Sequence, residues 1–347
     1  MKKPMAWLLS AYRADSHAAW GDWLVSSRQQ YEWQRFELPG RHFRWRIRGN
    51  PLSWLDLLPE TPPDLIVATS MVDLATLKGL HPRLAQVPCL YYFHENQFAY
   101  PVTEQQFRSV DPQMVQLYGA LAADRVAFNS SFNRESLLNG IDQLLAKMPD
   151  CVPPGVSDRI RDKNSICPVP ITPIAAAAEK EPQLILWNHR WEYDKAPDLF
   201  ATAMIELAEH GHDFQLALLG SRPKKSPPPL TRLRKQLPDR ILVDGKVAPD
   251  HYRELLGKAG IVISTAIHEF QGLAILEAAS AGARPLVPDA LCYPEQYGDI
   301  YRYPAGDINT LVDRLGRWLD GDLPPSVDVS PWYEESLIQS WHNLLSL

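Results

Sequence analysis

The segment HEFQGLAILEAASAGARPLVPD places Glu269 and Glu277 on one chain stretch with seven residues between them. Phe270, Gln271 and Gly272 form a turn directly before a helix rich in Ala and Leu. Free amides at such a helix N-terminus, Leu273 included, can bind a phosphate or sugar oxygen. Glu269 then lies in a loop at a strand end and Glu277 two turns into the helix, so one carboxylate can accept hydroxyl protons from a sugar and the other from a ribose. An ordinary surface carboxylate is the plainer account of Glu277, but Leu276, Ala278 and Ala279 beside it predict partial burial, and a buried acid needs a partner. Upstream, WNHRWEYDKAPDLF supplies Arg190 and Lys195 between a strand and the next helix. Two cations there can neutralise a diphosphate, which is both the handle and the leaving group in glycosyl transfer. Surface charge explains their strand-end position less well.

In the first half, YYFHENQFAYPV starts as a buried strand and ends in His94, Glu95, Asn96 and Gln97. A lone histidine at a strand terminus is usually structural. The segment RFELPGRHFRWRIR, Arg35 to Arg48, carries five arginines against one glutamate, interleaved with Phe36, Phe43 and Trp45. Guanidinium beside aromatic surface is what unstacked bases bind, so Arg44, Arg46 and Arg48 are candidate RNA contacts. A second basic run, Arg222 to Arg240, reads equally well as a solvated loop. The net charge of −6 excludes indiscriminate nucleic-acid binding, which needs clustered cations. Asp320-Gly321-Asp322 resembles a metal triplet but stands in a polar loop before two prolines, so no metal is expected. The four cysteines are far apart and form no CxxC pair, which fits reduced thiols in a cytoplasmic protein.

What must position these residues is an alternation of short apolar runs with helix-period segments, the pattern of βαβ units and mainly parallel sheets. MAWLLSA, DLIVATS, CLYYFH and RVAFNS are strands of the first half; QLILWNH, FQLALLG, ILVDG, IVISTA and RPLVPD are strands of the second. In such sheets function gathers at the carboxyl ends of strands. Prolines 153, 154, 168, 170, 173 and 182 break the pattern, with room for one more strand. The expected organisation is residues 1–170 as a first α/β domain, 171–182 as linker, 183–330 as a second α/β domain, and 331–347 as a helix returning across the cleft between them. The apolar run of MKKPMAWLLSAYR is too short for a signal peptide, and no segment reaches the roughly 18 apolar residues of a membrane span.

Arg190, Lys195 and the Glu269 to Glu277 pair resemble those of retaining nucleotide-sugar glycosyltransferases of the GT-B fold, an α/β architecture of two Rossmann-like domains facing each other across a cleft. More closely, YYFHENQFAYPV, FNSSFNRESL, WNHRWEYDKAPDLF and HEFQGLAILEA together look like the tRNA-queuosine mannosyltransferase family. The resemblance runs from Ser16 and His17 to Glu277. It implies that Arg190 and Lys195 grip the donor diphosphate, Glu269 and the amides of Phe270 to Leu273 face sugar and phosphate, and Glu277 binds the ribose. It implies GDP-mannose as donor, no metal or other cofactor, and the cyclopentenediol of queuosine in a tRNA-Asp type anticodon as acceptor. His94 takes a sugar-contacting or transition-state role, while Ser16, His17, Glu95, Asn96 and Gln97 serve the acceptor side. The first turn, AYRADSHAAWGDW, lacks the glycine pair usual in the wider superfamily. Two other readings stand beside this one: a GT-B enzyme acting on a lipid or polysaccharide, and a non-catalytic tRNA-binding Rossmann protein. The first usually brings a basic amphipathic helix, whereas the basic run here reads as short and strand-like. No membrane association and no obligate protein partner are expected.

Overall fold

A computed structural model of the chain describes residues 2–101 and 109–346; Val102, the last residue of YYFHENQFAYPV, lies outside them. By contacts the chain divides into two units, Met1–Val169 with Ile338–Leu347, and Pro170–Leu337. Residues 171–182 fall inside the second unit, and the last helix contributes most of its length to the first.

The first unit holds strands β1 (Met5–Arg13), β2 (Glu32–Pro39), β3 (Leu65–Thr69), β4 (Cys89–Phe93), β5 (Arg125–Phe128) and β6 (Asn164–Ile166). They form one sheet in the order β2-β1-β3-β4-β5-β6, every neighbouring pair parallel. Its helices are α1 (Asp15–Ser27), α2 (Phe43–Ser53), α3 (Leu74–Leu80), α4 (Asp111–Ala122), α5 (Ser131–Leu145) and α6 (Val156–Arg161). Strands β3 and β4, LIVAT and CLYYF, are buried throughout. Central parallel strands covered on both faces require such uninterrupted apolar runs. Edge strand β2, EWQRFELP, is only half-buried and carries charge, as edge strands do, and its second half is the start of the basic run that reads as strand-like. Arg35 on it bridges Glu37 and Asp22.

The second unit repeats the plan with β7 (Glu181–Trp187), β8 (Gln215–Leu218), β9 (Ile241–Asp244), β10 (Ala259–Ile263), β11 (Arg284–Pro288) and β12 (Arg302–Tyr303). Helices α7 (Pro197–Glu209), α8 (Pro228–Gln236), α9 (Pro249–Lys258), α10 (Leu273–Ser280) and α11 (Ile308–Leu319) connect or flank them, and α12 (Glu334–Leu345) ends the chain. The order β12-β11-β10-β7-β8-β9 is again parallel at every pairing. Strand order reverses between β7 and β10, and between β1 and β3 in the first unit. At such switch points the connections leave in opposite directions and open a crevice beyond the strand ends.

Candidate functional site

Lys195 and Glu269 leave the two strands that flank the second unit's switch point. After β7 the chain passes Gly220 so closely that an added Cβ would lie 1.5 Å from the His189 carbonyl oxygen, so only glycine fits there. It then makes a single turn, Tyr193–Lys195, and enters α7 through Ala196 in the left-handed region (φ 44°) with Pro197 at the first helical position. After β10 the loop is stitched onto that turn. The Thr265 hydroxyl donates to the Lys195 carbonyl at 2.8 Å, and the amides of Ile267 and His268 donate to the Asp194 carbonyl at 2.9 and 3.2 Å.

The stitching delivers three acceptors to one ammonium. Lys195 Nζ lies 3.0 Å from Glu269 Oε2, 3.2 Å from Asp194 Oδ2 and 2.8 Å from the His268 carbonyl oxygen. An ammonium has three protons, so its capacity is used. Burial by itself would lower the Lys195 pKa, but the Glu269 and Asp194 carboxylates outweigh it and raise it. Burial pushes Glu269 up, yet the ammonium, His189 and the amide of Gly272 bring it down to about 2. His189 and His268 beside the pair are held neutral, chiefly by burial, at about 3 and about 4. Arg190 follows the same strand but is exposed, its guanidinium 3.4 Å from Glu192, also exposed.

Gly272 opens α10 with φ 64°, and a Cβ there would meet the Tyr293 ring at 3.0 Å. The amides of this turn do not all face outward as expected. Phe270 N–H donates to Glu269 Oε1 at 3.1 Å, and the Gly272 amide also turns to that carboxylate. The Gln271 carbonyl accepts from Gln296 Nε2 at 2.6 Å; Gln271 is buried, and Leu273 is partly exposed at the helix start. Glu277 is half-buried, and burial raises its pKa against a hydrogen bond from Tyr252. The Tyr252 hydroxyl donates to Glu277 Oε2 at 3.4 Å and accepts from Asn188 Nδ2 at 3.3 Å; Asn188 Nδ2 also reaches the Ala274 carbonyl at 2.9 Å. Asp194, Asn188 and Tyr252 were not singled out from the sequence. Asp194 had a signal, an acid directly before a lysine at a strand end; Tyr252, on α9, had none.

In the first unit, His94 follows β4 inside an aromatic box. Its ring centroid lies 4.4 Å from that of His17, 4.5 Å from Trp20 and 4.7 Å from Tyr92, each near edge-to-face. Trp20 stacks on Tyr92 at 5.0 Å, and Trp341 of α12 closes over Tyr92 at 5.0 Å while its Nε1 donates to the Pro168 carbonyl at 3.0 Å. Burial, and then His17, hold the His94 imidazole far below its ordinary pKa, hence neutral. Its Nε2 is shielded and has no hydrogen-bond partner among the described residues. Ser16 is exposed in the first turn of α1. Asn96 corrects an expectation. It is fully buried, donates to Asn133 and Ser136 and accepts from the amides of Phe98 and Ala99, so it holds the loop's shape and has no capacity left for an acceptor. Glu95 and Gln97 are half-buried; Ser70 donates to the Glu95 carbonyl, and the Gln97 amide donates to Gln116.

The basic aromatic segment is a strand only over residues 35–39, not throughout as expected. It ends β2 and then forms α2, which changes which arginines act together. On a strand Arg44, Arg46 and Arg48 would share a face; on a helix Arg44 and Arg48 do, and Arg46 turns away. Arg46 Nε is buried, whereas Arg44, Trp45 and Arg48 are exposed. Arg48 pairs with Asp73 at 2.5 Å, a buried carboxylate that also caps α3 through the Thr76 amide. In the second basic run, Arg222 and Arg234 both bind Asp244, which lowers its pKa, and Arg232 reaches Thr202 at 2.9 Å. Asp320 pairs with His212 at 3.2 Å. Among the described residues no group of three or more His, Cys, Asp or Glu is placed to hold a metal, and no helix is long and apolar enough to cross a membrane.

Residues 5–171 match the model of the tRNA-queuosine alpha-mannosyltransferase N-terminal family, and residues 182–320 match glycosyl transferases group 1. A Drosophila melanogaster tRNA-queuosine alpha-mannosyltransferase is 32% identical over 309 residues, 85% of this chain and 82% of the relative. Among solved structures, Anabaena HepE in complex with UDP and glucose superposes with a TM-score of 0.68 at 13% identity, covering 100% of both chains. S. aureus TarM, solved with fondaparinux, alpha-GlcNAc-glycerol and UDP, gives 0.65 at 12% identity; the alignment covers 87% of this chain and 59% of TarM. At these identities the likeness establishes the fold, which is GT-B.

Proposed function

Given that the chain belongs to the tRNA-queuosine alpha-mannosyltransferase family and is a glycosyltransferase, we propose that it moves mannose from GDP-mannose to the cyclopentenediol of queuosine in a tRNA-Asp type anticodon, with retention at the anomeric carbon. The observation that carries the donor half is the Lys195 ammonium, buried at the switch point with Glu269 in its coordination. A buried ammonium beside a glycine turn that opens a helix suits a departing diphosphate, and stabilising that leaving group is the main task when no protein nucleophile takes part. Arg190 adds a second, exposed cation. Glu269 serves the sugar hydroxyls, and Glu277, oriented by Tyr252, serves the ribose. Neutral His94 can exchange a hydrogen bond with a sugar hydroxyl without adding charge, and the exposed face of Arg44, Trp45 and Arg48 suits an RNA backbone and an unstacked base. No metal or other cofactor is required in this scheme. It operates in the cytoplasm, where its tRNA substrate resides.

The test is mass spectrometry of queuosine nucleosides after incubating the protein with queuosine-containing tRNA and a panel of nucleotide sugars. A hexose-shifted queuosine with GDP-mannose alone is the expected result; no shift with any donor rejects the reading. One observation favours a lipid acceptor instead: α2 is a basic helix, and Trp45, Leu52, Leu55 and Leu57 on and after it are exposed. Co-sedimentation with anionic liposomes, without tRNA binding, would move the acceptor to lipid.

A further inference from the structure

The Glu269 carboxylate sits as an anion would in the donor site. One oxygen is on the Lys195 ammonium at 3.0 Å, the other takes the Phe270 amide at 3.1 Å, and the Gly272 amide turns to the same group. These are the groups that the donor reading assigns to diphosphate and sugar. Because all three ammonium protons already have acceptors, a phosphate oxygen reaches Lys195 only by displacing one of them. The His268 carbonyl belongs to a stitched backbone. The Asp194 carboxylate is 2% exposed, and its own carbonyl accepts two amides. Glu269 is 20% exposed and one methylene longer.

We infer that Asp194 is the positioning residue that holds the Lys195 ammonium in place, and that Glu269 is its exchangeable partner, released when the diphosphate of a nucleotide takes its site. The inference rests on the reading of Lys195 as the diphosphate cation. Exchange couples two events: the carboxylate becomes available to sugar hydroxyls only when the diphosphate has arrived. It also assigns opposite consequences to two neighbouring acids.

Titration calorimetry of the full-length chain with GDP and with UDP tests this. Glu269→Gln, which removes the competing anion, tightens nucleotide binding by about tenfold, and it lowers both kcat and the donor KM. Asp194→Asn, which removes the anchor, weakens binding by about tenfold. A general field effect would move both variants in the same direction, since each loses one negative charge, and that outcome overturns the inference. In a Lys195→Met background the gain from Glu269→Gln disappears; its persistence, or no gain in the single variant, also overturns it. Circular dichroism checks folding, and if Asp194→Asn does not fold, the Lys195→Met and Glu269→Gln cycle decides alone. Wild-type affinity in Lys195→Met removes the donor reading of Lys195 itself, and the inference falls with it; weak binding in that variant combined with no gain from Glu269→Gln rejects the exchange alone.

Discussion

His189 and His268 flank the Lys195–Glu269 pair as neutral rings at about 3 and about 4, against an ordinary 6.5, and the cause is first their burial. Between the folded and unfolded values the unfolded chain binds more protons, so stability rises with pH; the contribution is full above about 6.5 and is lost as pH falls. Glu269, at about 2 against an ordinary 4.5, acts in the same sense: its contribution is present above 4.5 and lost below it. Unfolding free energies from denaturant titrations between pH 7.5 and 4.5 should therefore fall as the pH falls, by up to about 1.4 kcal/mol per pH unit for each histidine. His189→Asn should flatten the profile between pH 6 and 5. At the same scale, His94→Ala and Glu269→Ala should each lower mannosyl transfer by about 10²-fold with the fold retained. Wild-type turnover in either variant removes that residue from the catalytic set.

At the scale of elements, α2 decides what its arginines do. A triple replacement of Arg44, Arg46 and Arg48 mixes roles, because Arg48 also neutralises the buried, helix-capping Asp73. Arg48→Ala alone should cost about 1 kcal/mol of stability, read from denaturant unfolding. Replacing Arg44 should weaken tRNA binding and flatten its salt dependence by about one charge without changing nucleotide affinity. If filter binding shows the same salt slope as wild type, the exposed face of α2 is not an RNA surface. The helix was not read from the sequence because alternating Arg44, Trp45, Arg46, Ile47, Arg48 satisfies a period of two. Only Gly49, whose Cα packs under the Trp45 ring one turn away, and Asn50, bonded back to the Arg46 carbonyl at 2.8 Å, disclose the helical spacing.

At the scale of the whole chain, α12 returns to the first unit: Trp341 is fully buried against Trp20 and Tyr92, and Arg125 donates to the Asn343 carbonyl at 2.7 Å. Trp341→Ala should cost about 3–5 kcal/mol in the unfolding of that unit, and it should lower kcat through the loosened box around His94, two rings away. A full kcat with the expected stability loss would limit α12 to a structural part. The sequence by itself determined the two parallel-sheet halves, because central strands such as LIVAT and CLYYF are legible as uninterrupted apolar runs, and it placed Lys195, Glu269 and His94 in the segments that follow strands, where the structure has them. Edge strand β12 escaped it and β6 was only given room in the proline-rich stretch, since an element two or three residues long carries no strong period. What the ammonium of Lys195 holds, which carboxylate is buried beside it, that Asn96 is spent inside its loop, and that Tyr252 orients Glu277 were decided by tertiary structure alone. Each depends on residues from separate elements that the fold brings together, and local periodicity does not specify which distant side chains will meet.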